Sequence, residues 1–177
     1  SDGLLVTSLE SFERYQREHA WTWEHQALVR ARIVAGNAEL AKRFQSVRKS
    51  LLLLERDAEK LKRDVREMRA RMHHELGTNN DAQFDIKQDR GGIANIEFMV
   101  GYGALGGAPK VRKYLHITDN VRVLEAMAEH KLMDAADAAL LSGAYRDYRA
   151  HVHRLTLEEK AAVVASAQFK RLRAQVG

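Results

Sequence analysis

The residues best suited to chemistry lie in one non-helical stretch and at the start of the next helix. Turn formers dominate from Gly77 to Gly92, and Asp85, Lys87, Asp89 and Glu97 surround a Gly91-Gly92 pair. Glycines let a backbone approach a ligand closely or take positive φ. A helix beginning after Gly92 would offer free N–H groups to an anion, and carboxylates nearby could hold Mg²⁺. The plainer reading is a turn whose aspartates cap helices and whose lysine pairs with them. Periodicity alone favours that plainer reading.

Other clusters say less. His73-His74-Glu75 lacks the second histidine of a zinc HExxH helix, which would have to stand at Thr78. His151 and His153 are two apart and face different sides of a helix. No metal held by histidine is expected. Gly101-Tyr102-Gly103-Ala104-Leu105-Gly106 carries the letters of a dinucleotide fingerprint, but that motif must open a helix, and Gly107 and Pro109 come at once after it. Small residues at a fraying helix end are expected instead. Trp21 and Trp23 flank Thr22 and are expected in a core and interface cluster, touching two neighbours, or one neighbour and a partner. Arg30 and Arg32 stand one to two turns later. They could face a phosphate or pair with Glu18 or Glu24, and periodicity favours pairing.

The elements that must position these residues read as helices. Phe12, Tyr15, His19 and Trp23 recur at helical spacing in a run from 8 to 35, entered by Thr7 and Glu10 at capping-box spacing and stopped by Gly36, with a kink near Ala20. Asn37 caps a helix over 38–54, and 57–76 forms a third, closed by Gly77. After the 77–92 loop, in which Phe84-Asp85-Ile86-Lys87 alternates like a short extended piece, helices are expected over 93–105, 120–130, 135–157 and 158–174. Thr118 or Asp119 caps the 120–130 helix and Asp134 the next. The fold class is all-α, a multihelical bundle in a single domain over 1–177.

Composition agrees. Among 177 residues, 45% are hydrophobic and 30% charged, with one proline, as suits a globular helical chain. With no cysteine there is no disulfide and no thiolate chemistry. The apolar block Leu51–Leu54 is far below the roughly 20 residues that span a bilayer. No membrane partner or signal peptide is expected, and a cytoplasmic setting is. Ser1 in place of Met suggests a piece of a longer protein. The net charge of +5 comes from 29 basic and 24 acidic residues interleaved along helices, which argues against nucleic acid as a partner.

Four stretches carry a resemblance. Phe84-Asp-Ile-Lys-Gln-Asp-Arg-Gly-Gly-Ile-Ala-Asn-Ile-Glu-Phe98 resembles the FDIK-x-D-x-GGI-x-DIEF segment of the glutamine synthetase adenylyltransferase family. Gly3-Leu-Leu-Val-Thr-Ser8 resembles that family's entry into its helical region, and Val65-Arg-Glu-Met-Arg69 its VREMR helix. Glu18-His-Ala-Trp-Thr-Trp-Glu-His-Gln-Ala-Leu-Val-Arg-Ala-Arg32 looks like its EAWTWEHQALVRAR helix. Asp119–Glu125 and the 145–157 helix extend the likeness more weakly.

The resemblance implies the helical domain that comes after the second nucleotidyltransferase domain, in the C-terminal, adenylylating half of a multifunctional transferase of nitrogen metabolism. Such an enzyme moves AMP from ATP, with Mg²⁺, to a tyrosine of glutamine synthetase. Its partners are glutamine synthetase, the PII signalling protein and the preceding nucleotidyltransferase domain. The family's catalytic Gly-Ser and Asp-x-Asp are absent, and nucleotidyl transfer needs those carboxylates. The chain alone is therefore expected to be inactive, with no catalytic residue, no metal ligand and no tightly bound cofactor of its own. Its expected role is to complete the nucleotide cleft. Lys87, Asp89, Gly91, Gly92 and Glu97 are the cleft candidates, and Arg30 and Arg32 are candidates for phosphate or interdomain contacts. The alternative is an interaction module that docks glutamine synthetase or PII without touching nucleotide. Two departures stand out: the family's GGI-x-DIEF aspartate is Asn95, and the apolar helix after it becomes the glycine-rich 101–107 stretch, which is expected to loosen the packing.

Overall fold

A computed structural model describes residues 6–78, 80–111 and 115–177. Residues 3–5 of the entry motif and Asn79 of the loop lie outside them. The fold is all-α: α1 (Leu9–Glu18), α2 (Thr22–Arg30), α3 (Ala38–Leu52), α4 (Ala58–Leu76), α5 (Ile93–Gly107), α6 (Asn120–Glu129), α7 (Ala135–Leu157) and α8 (Lys170–Val176), with one two-stranded antiparallel ribbon. In the ribbon, β1 (Gln83–Asp85) pairs with β2 (Val163–Ala165), Phe84 opposite Val164.

The bundle is organised around α5. This helix is apolar nearly all round, as a helix enclosed by neighbours must be, and it buries Ile93, Ala94, Ile96, Val100, Ala104 and Leu105. It touches α2, α4, α6 and α7. The glycine-rich stretch does not fray. It stays helical through Gly107, and it tightens the packing rather than loosening it. A Cβ on Gly103 would sit 2.2 Å from Met127 Cε of α6, and one on Gly101 2.8 Å from Gln26 Nε2 of α2. The missing side chains thus let two neighbouring helices close onto α5.

Two expected helices are replaced. The run over 8–35 splits into α1 and α2. It enters at Ser8, whose hydroxyl accepts from Ser11 N–H, rather than through Thr7 and Glu10. The chain turns at His19–Ala20 and restarts at Trp21, whose N–H donates to the Glu24 carboxylate at 2.8 Å, half of a capping box. α2 stops at Arg30 because Arg48 takes its last carbonyls. Arg48 Nε donates to Leu28 O at 2.7 Å, which also accepts from Ala31 N–H at 3.2 Å, and Nη2 donates to Val29 O at 2.6 Å.

The run over 158–174 is not a helix either. Glu159 takes positive φ (56°) after the end of α7, and the β-branched Val163-Val164 pair finds an extended partner in β1. Ile86 N–H donates to Ala162 O and Ser166 N–H to Ala82 O, both at 2.9 Å. Alanine-rich helix propensity here is weak against a ladder and an aromatic cluster. In that cluster Phe84, Tyr148 and Phe169 stack edge to face or tilted, and Arg173 lies 4.4 Å from the Phe84 centroid. Among the described residues the buried Tyr148 hydroxyl has no hydrogen-bond partner, and burial pushes its pKa up to about 12.

Elsewhere Asn37, Asp57 and Asp119 cap α3, α4 and α6, each accepting from the backbone N–H three residues on. Asp134 stands at the start of α7 without a side-chain cap bond.

Candidate functional site

The loop between β1 and α5 is a tightly bonded turn. Ile93 N–H donates to Ile86 O at 2.8 Å and Ala94 N–H to Lys87 O at 3.0 Å. The first amides of α5 are therefore spent inside the turn and are not free for an anion. Asp89 works inward. It is 3% exposed, Oδ1 accepts from Thr78 N–H and Oδ2 from Asp85 N–H, each at 2.8 Å. Asp85 Oδ1 accepts from Lys87 and Gln88 N–H. Both carboxylates hold backbone.

The glycine pair serves close approach between segments of the chain. Gly91 has φ +78°, and a Cβ there would lie 2.1 Å from Arg173 O of α8. A Cβ on Gly92 would meet Ile86 O at 2.5 Å. The turn presents Lys87 and Arg90 outward, both exposed and, among the described residues, without an ion-pair partner.

Lys87 lines a cavity of about 460 Å³ between α2, the turn, α5, α6 and α7. The cavity also gathers Arg30, Glu97, Asn120 and Arg149, with Trp23 at its edge. Of the seven sequence candidates it brings together Lys87, Glu97 and Arg30. Asp89, Gly91 and Gly92 lie behind the wall and shape it. Arg32 lies past the end of α2, exposed, outside the lining.

Arg30 does not pair with Glu18 or Glu24. Its Nη1 lies 2.5 Å from Glu97 Oε1. Glu24 is engaged by Trp21 N–H and the Tyr15 hydroxyl. The same Glu97 Oε1 receives the Tyr145 hydroxyl at 3.3 Å and Asn120 Nδ2 at 3.5 Å. Burial, with the Glu97 charge beside it, raises the Tyr145 phenol pKa, so Tyr145 remains a donor. The lining holds three cations, Arg30, Lys87 and Arg149, and one carboxylate, Glu97, so the cavity suits an anion. Among the described residues no group of three His, Asp or Glu could hold a metal ion.

Sequence reasoning missed Arg149, Tyr145 and Asn120. A signal existed for two of them, because Tyr145 and Arg149 stand four apart on one face of α7. Trp21 and Trp23, expected in a core and interface cluster, are 62% and 46% exposed and take no part in the core. α2 buries Leu28 and Val29 instead.

Two arginines, Arg69 half-buried and Arg48 buried, tie separate segments together. Arg69 of the Val65–Arg69 stretch donates from Nε to Asn95 Oδ1 at 2.7 Å and from Nη2 to Gln88 O and Asp89 O. Arg48, 1% exposed, adds a bond from Nη1 to Leu115 O at 2.7 Å. Burial lowers the pKa of both guanidinium groups.

Known proteins match the chain in two parts. Residues 1–47 match the family model described as glutamate-ammonia ligase adenylyltransferase, and residues 59–163 the one described as GlnD PII-uridylyltransferase. The chain is similar to curated proteins named bifunctional glutamine synthetase adenylyltransferase/adenylyl-removing enzyme. In Thioalkalivibrio sulfidiphilus the identity is 47% over 176 residues, covering 99% of this chain and 18% of the relative. In Pseudomonas putida it is 46% over 188 residues, covering 99% and 19%. In Pseudomonas aeruginosa it is 44% over 186 residues, covering 98% and 19%. The chain thus spans less than a fifth of the length of these relatives. Because the 59–163 match covers more than half of it, the chain belongs to the family described as GlnD PII-uridylyltransferase, and along nearly its whole length it is similar to the glutamine synthetase adenylyltransferase/adenylyl-removing enzymes.

Proposed function

We propose that this chain is the helical domain of an enzyme that transfers AMP from ATP to glutamine synthetase, and that it completes the nucleotide cleft of a preceding nucleotidyltransferase domain. The observation that carries the reading is the cavity whose lining holds Arg30, Lys87 and Arg149 with Glu97, to which Arg30 is paired. A surplus of cations in a partly enclosed, partly apolar site fits a phosphorylated ligand. ATP and Mg²⁺ belong to the whole enzyme, in the cytoplasm. The metal carboxylates would come from the preceding domain, since the chain has no Asp-x-Asp, and the chain alone would not transfer AMP.

The test is kinetic, in the full-length adenylyltransferase. Lys87→Ala and Arg149→Ala are expected to raise the KM for ATP about tenfold each, the effect of losing roughly 1.4 kcal/mol of binding. Unchanged KM values in folded variants would overturn the cleft reading.

The exposure of Trp21 and Trp23 favours a second reading, in which the domain docks protein. Large exposed aromatics mark protein contacts, here with the preceding domain, glutamine synthetase or PII. Trp21→Ser with Trp23→Ser would then weaken adenylylation of glutamine synthetase, or its response to PII, while the KM for ATP stays fixed. No effect on either would remove this reading.

A further inference from the structure

Glu97 is held in an unusual way. Its Oε1 carries three donors, from Arg30, Tyr145 and Asn120, on α2, α7 and α6. Its Oε2 accepts no hydrogen bond among the described residues, although the side chain is only 26% exposed and lines the cavity. A carboxylate fixed at one oxygen presents the other at a defined point and angle.

Charge decides what that oxygen can meet. A ligand drawn in by Lys87 and Arg149 is an anion, and an anion repels a carboxylate unless it brings a hydrogen-bond donor to it. A metal ion is a poor candidate, because it needs several oxygen ligands and the lining holds one carboxylate among three cations. An ammonium group meets the same three cations. An uncharged hydroxyl on an otherwise anionic ligand satisfies both sides, and the sugar of a nucleotide is such a group.

We propose that Glu97 Oε2 accepts a hydrogen bond from a ribose hydroxyl of the nucleotide, so that this cavity distinguishes ribonucleotides from deoxyribonucleotides. The inference rests on the nucleotide-cleft reading and assigns Glu97 as a specificity-determining residue within it. Tyr145 and Asn120 become positioning residues, since they act on the ligand through the carboxylate they hold. In Glu97→Gln the amide carbonyl stays with the three donors and the NH₂ takes the place of Oε2. A donor then stands where the acceptor stood.

The experiment compares ATP, 2′-deoxy-ATP and 3′-deoxy-ATP in the full-length adenylyltransferase. The wild type is expected to show a KM about tenfold higher for at least one deoxy analogue. Glu97→Gln is expected to raise the KM for ATP to near that analogue's value while leaving the analogue's own KM within twofold. Tyr145→Phe keeps the carboxylate but loosens it, and is expected to narrow the discrimination without abolishing it. Equal KM values for all three nucleotides in the wild type would overturn the proposal, as would a Glu97→Gln loss that is the same for ATP and both analogues. Lys87→Ala separates the two levels. If it raises the KM for ATP while sugar discrimination is absent, only the ribose assignment falls. If it too leaves the KM unchanged, the cleft reading falls with it.

Discussion

Arg69 Nε donates to Asn95 Oδ1 at 2.7 Å, tying α4 to the first turn of α5. The same guanidinium holds the carbonyls of Gln88 and Asp89, so one side chain ties the middle of the turn that presents Lys87 to the helix after it. Asn95 stands where the resembling family has aspartate. It keeps the acceptor and gives up the charge. A charge-assisted bond is stronger than a neutral one, and a carboxylate here would face a half-buried guanidinium that has no other acid bonded to it among the described residues. Asn95→Asp is expected to stabilise the fold by about 1 kcal/mol and raise Tm by roughly 2–4 °C. Thermal unfolding followed by circular dichroism reads this directly. A lower Tm would mean that burying the new carboxylate costs more than the pairing returns.

The all-helical class, the caps at Asn37 and Asp119 and the α7 span of 135–157 were legible because each depends on residues close in sequence. The failures share one cause. The stop of α2 at Arg30 is set by Arg48, and the extended run at 163–165 by β1, and neither partner is local. Within the site, the turn glycines and acids were visible as types, but their direction was not. Asp89 faces inward and Lys87 outward because Thr78 and Asp85 supply N–H groups on the inner side. No pattern in one sequence reports that.

His25 makes stability pH-dependent in a defined window. Its Nε2 donates to Gln16 O at 2.8 Å, and Arg56 Nη2 donates to its Nδ1 at 3.3 Å, which requires the neutral ring. Burial and then Arg56 lower its pKa against the raising effects of Gln16 O and Glu24. An unfolded histidine titrates near pH 6.5. Just below that, the unfolded chain binds a proton that the folded chain refuses, so stability rises with pH. The contribution is complete above about pH 6.5 and is lost as pH falls toward the folded pKa. Urea unfolding between pH 5 and 7.5 should show this slope, and His25→Gln should flatten it. Staying above pH 5 avoids Glu10, held low by its own backbone N–H and Arg43, and Glu158, held low by Lys160. An identical slope in the variant would remove His25 as the cause.

Tyr148 offers a change with the opposite sign from most core substitutions. Its ring packs between Phe84 and Phe169, while its hydroxyl is buried without a partner among the described residues. An unpaired buried hydroxyl costs about 1–3 kcal/mol of desolvation. Tyr148→Phe removes that group and keeps the ring contacts, so it is expected to stabilise by about 0.5–1 kcal/mol. A higher urea midpoint with an unchanged m-value is the expected result. A loss of stability would show that the hydroxyl is satisfied in solution.

Arg48 is the strongest test of how the bundle holds its site. The residue is 1% exposed, and its guanidinium donates to three carbonyls: Leu28 and Val29 at the end of α2, and Leu115 before α6. It has no carboxylate partner among the described residues, so its charge is met by backbone dipoles at the negative end of α2. Arg48→Met fills similar volume but takes the guanidinium donor from all three carbonyls, of which Leu28 O keeps the Ala31 N–H. At about 1–3 kcal/mol for a buried acceptor left unsatisfied, and with some rehydration, the expected loss is about 2–4 kcal/mol. Arg48→Lys keeps the charge but replaces the planar fork with a point donor, which cannot reach three diverging carbonyls at once. It should fall between wild type and Arg48→Met. Arg30, at the end of α2, depends on the same clamp. Hydrogen exchange at Leu115–Ile117 and at the end of α2 should therefore speed up together in Arg48→Met. Faster exchange in only one of the two segments would show that Arg48 does not couple them.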